Sequence, residues 1–229
     1  RIVHIDFESV IAQPPEKLDL VFVIDATGSM SDELNYITNK FSNIISSLTD
    51  SYGDVDMRYG LVMYRDEGDD YVVKDYDFTS DLQTMQSQLN DQSANGGGDY
   101  PEAMEKGMQA GLDLEWRTGN VARMLFLVAD APPHAGNYAT TIEIAGDARD
   151  AGIHIYPLAA SGVADEAEFI MRVSGVLTHG RYIWLTDDSG IGDSHAEPHI
   201  KGYVVTSLDS LIERVVASGL EGKRVEPKS

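Results

Sequence analysis

Leu18-Asp19-Leu20-Val21-Phe22-Val23-Ile24-Asp25-Ala26-Thr27-Gly28-Ser29-Met30 is the stretch on which the fold is decided. Residues 18–24 form a nearly continuous apolar run, the pattern of a strand buried on both faces in a parallel sheet. The run ends at Asp25, and a turn follows at Gly28. Beyond it Leu34, Ile37, Phe41, Ile44, Ile45 and Leu48 recur at helical spacing. Asp32 and Glu33 stand in the first turn, where the helix dipole favours acids. Strand, tight turn and amphipathic helix make one α/β unit.

The alternation continues outward. Strands are predicted over 57–64, 71–78, 122–128, 153–158 and 181–185, with a short apolar piece at 203–205. Helices are predicted over 81–92, from Pro101 to Leu114, over 139–151, over 164–178, and from a Ser207 cap to Ala217. Gly180 is the expected stop of the helix before it. The strand at 71–78 follows its predecessor closely enough for a hairpin. This order predicts an α/β fold: a doubly wound, mostly parallel open sheet with one antiparallel edge strand and helices on both faces. Pro14 and Pro15 separate a lead-in, 1–17, from a domain over 18–218, and 219–229 reads as a charged tail.

Composition bounds the function. The 229 residues carry 17 Lys and Arg against 38 Asp and Glu, a formal charge of −21. Such an excess opposes docking on a phosphate backbone or an anionic bilayer. No apolar run is long enough to insert in a membrane. Trp116 and Trp184 lack the interleaved basic residues of a nucleic-acid surface. The absence of cysteine excludes disulfides, a thiolate zinc site and a Cys nucleophile. The chain opens on Arg1 and reads as a processed product or a part of a longer protein.

In a doubly wound sheet the ligand site lies beyond the C-terminal ends of the strands. After the first strand, Asp25, Thr27 and Ser29 offer a carboxylate and two hydroxyls at alternating positions. That oxygen set suits a hard divalent cation such as Mg²⁺, although Thr27, Ser29 and Ser31 are also good helix caps. Gly96-Gly97-Gly98-Asp99-Tyr100-Pro101-Glu102 combines a permissive backbone with an acid. A phosphate cradle fits it poorly, because Asp99 has the wrong sign and the loop holds no Lys; an N-cap role is the plain alternative. Asp130 closes the strand at 122–128.

Together Asp25-x-Thr27-x-Ser29, Gly96-Gly97-Gly98-Asp99 and Asp130 resemble the von Willebrand factor type A family. Its metal-ion-dependent adhesion site is written Asp-x-Ser/Thr-x-Ser, then Thr or Asp, then Asp. Tyr64-Arg65-Asp66, Asp130-Ala131-Pro132-Pro133-His134 and the stretch from Leu185 to Gly192 resemble a microbial branch. The resemblance spans 18–218. It implies Asp25, Thr27, Ser29, Asp99 and Asp130 as metal ligands, with Mg²⁺, Mn²⁺ or Ca²⁺ as the ion. It also implies a protein ligand bound by adhesion or assembly, often outside the cell or at its surface. Asp99 in place of the family's Thr adds a third carboxylate, which should tighten the metal and weaken its attraction for a partner's acid.

Other residues divide between function and plain structure. Asp66, Asp69 and His134 are expected at the partner-binding rim, although the 66–70 charge run also reads as a solvated turn, with Arg65 as an internal ion-pair partner. Asp187, Asp188, Asp193, His195, Glu197 and His199 are a possible second metal site. His195, Glu197 and His199 alternate, which suits an extended chain and not the helical motif of zinc peptidases. Turn-forming Asp, Ser and Gly explain the same stretch equally simply. Met104, Met108, Gly107 and Gly111 read as packing. No enzymatic motif is complete: a haloacid-dehalogenase-like phosphatase needs an acid at residue 27, and no Gly-x-Ser-x-Gly elbow occurs. A metal-dependent hydrolase or phosphotransferase using Asp25, or a scaffold with a purely structural metal, remain the alternatives to a binding module.

Overall fold

A computed structural model describes residues 14–185 and 206–226. The chain runs β1 (Lys17–Asp25), α1 (Ser31–Ser51), β2 (Asp56–Tyr64), β3 (Val73–Thr79), α2 (Leu82–Asn90), α3 (Met104–Asp113) and β4 (Val121–Ala129). It continues α4 (Tyr138–Asp150), β5 (His154–Ala159), α5 (Asp165–Leu177), β6 (Ile183–Trp184) and α6 (Leu208–Glu221). The strands form one sheet in the order β3-β2-β1-β4-β5-β6. β3 is antiparallel and the other pairings are parallel, as the alternation of patterns predicts.

Residue parity along β1 assigns its two faces. Leu18, Leu20, Phe22 and Ile24 point into a core shared with α1, α2 and α6, where Phe22 stacks on Phe126 and meets Phe41 edge-on. Val21 and Val23 join the opposite core with Met104, Met108, Ile144 and Met171 from α3, α4 and α5. The helical stripe read from Leu34 to Leu48 is buried throughout. The chain winds to opposite sides from β1 and β4, so the switch point of the sheet lies between these two neighbours.

Several element boundaries differ from the sequence reading, among them those of α3, α6 and β6. α3 starts at Met104, because Glu102 is held extended in a parallel bridge to Pro133 and its N–H donates to the Pro132 carbonyl at 2.9 Å. Asp99 therefore caps no helix; Ala103 occupies the cap position. α6 continues past Ala217 to Glu221, since Leu220 extends its buried stripe. Gly219 within it allows close approach to β4: a Cβ there would stand 2.9 Å from the Met124 sulfur. β6 is shorter than predicted, two residues long. Among the described residues no helix is long and apolar enough to cross a membrane.

Candidate metal centre

The site grows from the end of β1. Asp25 is fully buried, and its Oδ1 accepts from the Thr27 N–H at 2.9 Å and the Thr27 hydroxyl at 2.7 Å. Thr27 stands at the N-cap position of the short 3-10 turn Gly28–Met30, but its hydroxyl goes to Asp25 and makes no capping bond. The Ala26 carbonyl accepts from Asn95 N–H at 2.9 Å and from Arg65 Nε at 3.1 Å, and Gly28 N–H donates to the Gly96 carbonyl at 3.2 Å. These bonds lay the glycine-rich loop across the β1 turn. Two of its glycines are required. Gly96 and Gly97 have φ of 83° and 74°; a Cβ on Gly96 would enter the Asp69 carboxylate, and one on Gly97 would meet Glu102 Oε1.

Two buried carboxylates, Glu102 and Asp130, line the resulting cleft of about 510 Å³, and a third, Asp25, is bonded to Thr27, which also lines it. Each has an oxygen without a hydrogen-bond partner: Asp25 Oδ2, Glu102 Oε2 and Asp130 Oδ1. Burial, then the charge of Asp130, pushes Asp25 up to about 7. Burial, then Asp25, Asp66, Asp69 and Asp130, pushes Glu102 up to about 9. Asp130 is also raised by burial, against a hydrogen bond from Ser29, with Glu33 adding repulsion. No Lys or Arg lines the cleft. Orphaned carboxylate oxygens crowded without a cation, next to two hydroxyls, are a donor set that fits a hard divalent ion. Among the described residues no three His, Asp or Glu side chains hold an ion by themselves. The Thr27 and Ser29 hydroxyls are the further oxygen donors beside these carboxylates.

The predicted site residues fall into three groups. Asp25, Thr27, Ser29 and Asp130 come together at the switch point, with Ser29 exposed at the mouth. Asp99 lies exposed on the rim of the same cleft. Asp66, Asp69 and His134 serve the loops around it: His134 Nε2 pairs with Asp66 Oδ1 at 2.7 Å, and Asp69 Oδ2 accepts from Gly97 N–H at 3.0 Å and Asp66 N–H at 3.2 Å. The Asp66 hydrogen bond raises the imidazole of His134. Half of the acids in this turn, Asp66 and Asp69, are thus internal bracing, whereas Glu67, paired with Lys106, and Asp70 are exposed. Arg65 makes no ion pair there. It donates to the carbonyls of Ala26 and Ser93 and lies over the Tyr71 ring. The possible second metal site from Asp187 to His199 lies outside the described residues.

Sequence reasoning missed Glu102, Glu33 and Tyr100 as parts of the site. Glu102 follows a proline at an apparent helix start, where an acid is the ordinary complement to the dipole, so nothing local marks it. Glu33 was taken for such a complement in α1. It is in fact buried and accepts from the N–H and hydroxyl of Ser161, on the loop after β5. The Tyr100 hydroxyl donates to the Asp130 carbonyl at 3.0 Å and accepts from Ala164 N–H at 2.9 Å.

A mostly parallel sheet with an acidic, hydroxyl-lined cleft at its switch point defines the class: a doubly wound α/β domain. Comparison with known families makes this specific. The model of the von Willebrand factor A domain matches residues 19–168, and the chain belongs to that family. Alpha-protein kinase vwkA of Dictyostelium discoideum is 26% identical over 137 residues, covering 59% of this chain and 21% of its own length. Mouse hemicentin-2 is 29% identical over 112 residues, covering 49% of this chain and 2% of its own length. The chain thus spans about a fifth or less of these relatives. Among solved structures, BatB from Bacteroides thetaiotaomicron superposes with a TM-score of 0.59 at 14% identity, over 90% of this chain and 98% of that one. The pilus adhesin SpaC from Lactobacillus rhamnosus GG gives 0.57 at 15% identity, over 77% of this chain and 28% of that one. At such identities these two likenesses concern the fold alone.

Proposed function

We propose that this domain is a divalent-cation-dependent protein-binding module, acting in adhesion or assembly. One observation carries the reading: Asp25, Glu102 and Asp130 are buried at the sheet's switch point, each keeps an unpartnered oxygen, and the cleft lined by the last two also holds the Thr27 and Ser29 hydroxyls but, among the described residues, no Lys or Arg. Asp25, Thr27, Ser29 and Asp130 are the ligands that the family pattern names. Glu102 takes the inner carboxylate role first given to Asp99, and Asp99 serves the rim. Mg²⁺ is the ion that best suits this small oxygen site, with Mn²⁺ or Ca²⁺ as substitutes. A cation there supplies an electrophilic position for an oxygen of the protein partner. Thr27 holds Asp25 in place, Ser29 stands at the mouth, and the loop bonds of Gly28 and Gly97 keep the cleft open.

Membership of the family and the printed title of the pilus adhesin agree with an interaction role, and a pilus adhesin is in keeping with the cell surface or extracellular space as the place of action. Hydrolase chemistry has less support. Asp25 Oδ1 is already engaged by two donors of Thr27, where a phosphatase would carry a second acid. The test joins two measurements. Mg²⁺ binding by titration calorimetry is expected for the native chain and abolished in Asp25→Ala. A partner retained in Mg²⁺ and released by chelator is expected to be lost with the same substitution. Retention of the partner by Asp25→Ala would leave the metal a structural role only.

A further inference from the structure

The loop joining β5 to α5 was not among the elements expected to serve the site, yet side chains from the site hold both its ends. At its start, Ser161 directs its N–H, at 3.0 Å, and its hydroxyl to one oxygen of Glu33. At its end, Ala164 N–H donates to the Tyr100 hydroxyl at 2.9 Å. Glu33 stands four residues after Ser29, and Tyr100 directly follows Asp99. Between the two anchors Gly162 is exposed, with φ of 82° and open space around it, and it lines the cleft together with Ser161.

An amide or hydroxyl at residue 33 would suffice to hold a loop. A carboxylate there is costly, since it is 1% exposed and its second oxygen, Oε2, has no partner. Its charge also bears on Asp130, whose Oδ1 is likewise buried and unpartnered. Tyr100 is tied to the same Asp130 through the backbone carbonyl. Tyr100 thus bonds Asp130 directly, while Glu33 acts on it through its charge.

We infer that Glu33 is a positioning residue that couples cation occupancy of the cleft to the β5–α5 loop, with Tyr100 as the second anchor, so that residues 161–164 form a wall of the partner-binding face. The inference rests on the metal-dependent reading above. A cation beside Asp130 offsets the repulsion that Asp130 and Glu33 exert on each other, which firms the Glu33 bonds to Ser161.

Amide hydrogen exchange across 160–165, with Mg²⁺ and with chelator, tests it. In the native chain Mg²⁺ is expected to slow exchange of the Ser161 and Ala164 amides about tenfold. Glu33→Gln keeps an acceptor for Ser161 and removes the charge; it should fold, bind Mg²⁺, and lose the Mg²⁺-dependent slowing at Ser161. Tyr100→Phe should lose protection at Ala164 alone. If the native chain binds no Mg²⁺ in calorimetry, the metal-dependent reading fails. If it binds Mg²⁺ but exchange in 161–164 is unchanged, or if Glu33→Gln responds like the native chain, the coupling is overturned while that reading stands.

Discussion

Strand β1 carries a fully buried carboxylate near each end, and the two have opposite surroundings. Asp19, at the base of the sheet, accepts four hydrogen bonds of 2.8–3.0 Å from Arg58 and Arg117. Burial alone would raise its carboxyl, but the two guanidinium groups and the Arg117 N–H win, and it is held below the usual range. Asp25, six residues on, accepts from Thr27, has the Tyr64 hydroxyl beside it but no Arg or Lys partner among the described residues, and is pushed up to about 7 by burial and the charge of Asp130. The same residue type at the same burial is a finished ion-pair network at one end and an unfinished site at the other. The difference separates what holds the fold from what is kept available for a ligand.

The largest effect expected comes from unfinishing the base. Arg117→Ala takes one of the two guanidinium groups from Asp19, which keeps both Arg58 bonds and the N–H of residue 117, and also frees Asp56, which Arg117 bridges at 2.6 Å. Breaking a buried pair on one side costs about 3–5 kcal/mol. For a chain of this size that is a fall in melting temperature of roughly 10 °C, read by calorimetry. Asp56→Ala is the control: its carboxylate is exposed, so the loss should stay below about 1 kcal/mol. Equal losses for the two variants would remove the base from the comparison.

Asp25→Asn should act with the opposite sign in chelator. Replacing an unpaired buried acid with a neutral amide raises stability, on the order of 2 kcal/mol at neutral pH. The same substitution should abolish the gain from Mg²⁺, which for the native chain is about 2.7 kcal/mol at a hundredfold excess over Kd. Denaturant titrations with and without Mg²⁺ measure both. A variant less stable than the native chain in chelator would show that Asp25 is finished after all, by Thr27 alone.

The two ends also differ in the sign of their pH dependence. Asp25 has its folded pKa above its ordinary value of 3.8, so its contribution is fully present below 3.8 and is lost as pH rises toward about 7. Asp19 is depressed, so its contribution is present above 3.8 and is lost as pH falls below it. Denaturation in chelator between pH 4 and 7 should therefore show a falling contribution that Asp25→Asn removes. Mg²⁺ should flatten the same slope, because occupancy favours the ionised carboxylate. An unchanged slope in Asp25→Asn would assign the fall to other groups.

How much of this was legible in the sequence depends on how far apart the interacting residues lie. The β1 run, the helical stripe of α1 and the alternation of elements are local patterns, and they predict the sheet and its antiparallel edge. Asp25, Thr27 and Ser29 were legible because one turn of chain carries all three. The Asp19 network was not, since Arg58 and Arg117 are distant in sequence and ordinary in context. Glu33 and Glu102 hid for a related reason. An acid near a helix start has a sufficient local explanation, and only the packing of the β5–α5 loop and of Pro133 against them shows burial instead of solvent. Asp99 stands out in sequence by its place after three glycines, and the structure puts it, exposed, on the rim of the cleft.

The smallest effect expected is the one that separates Asp99 from Glu102. Glu102 is 4% exposed, has an unpartnered Oε2 and touches the space above Gly97, whereas Asp99 is solvated at the edge of the cleft. Removing an inner carboxylate takes away a direct attraction in a poorly solvated place, and removing a rim carboxylate takes away a screened one. Glu102→Gln should weaken Mg²⁺ binding by more than about tenfold, about 1.4 kcal/mol, and Asp99→Asn by less than about threefold. The Asp99 effect should also shrink as salt rises from 0.05 to about 0.5 M, with little change for Glu102. The reverse order in calorimetry would return Asp99 to the inner set and leave Glu102 as a buried brace. The unfinished end of β1 would then be completed from the rim, and the contrast with Asp19 would rest on Asp25 and Asp130 alone.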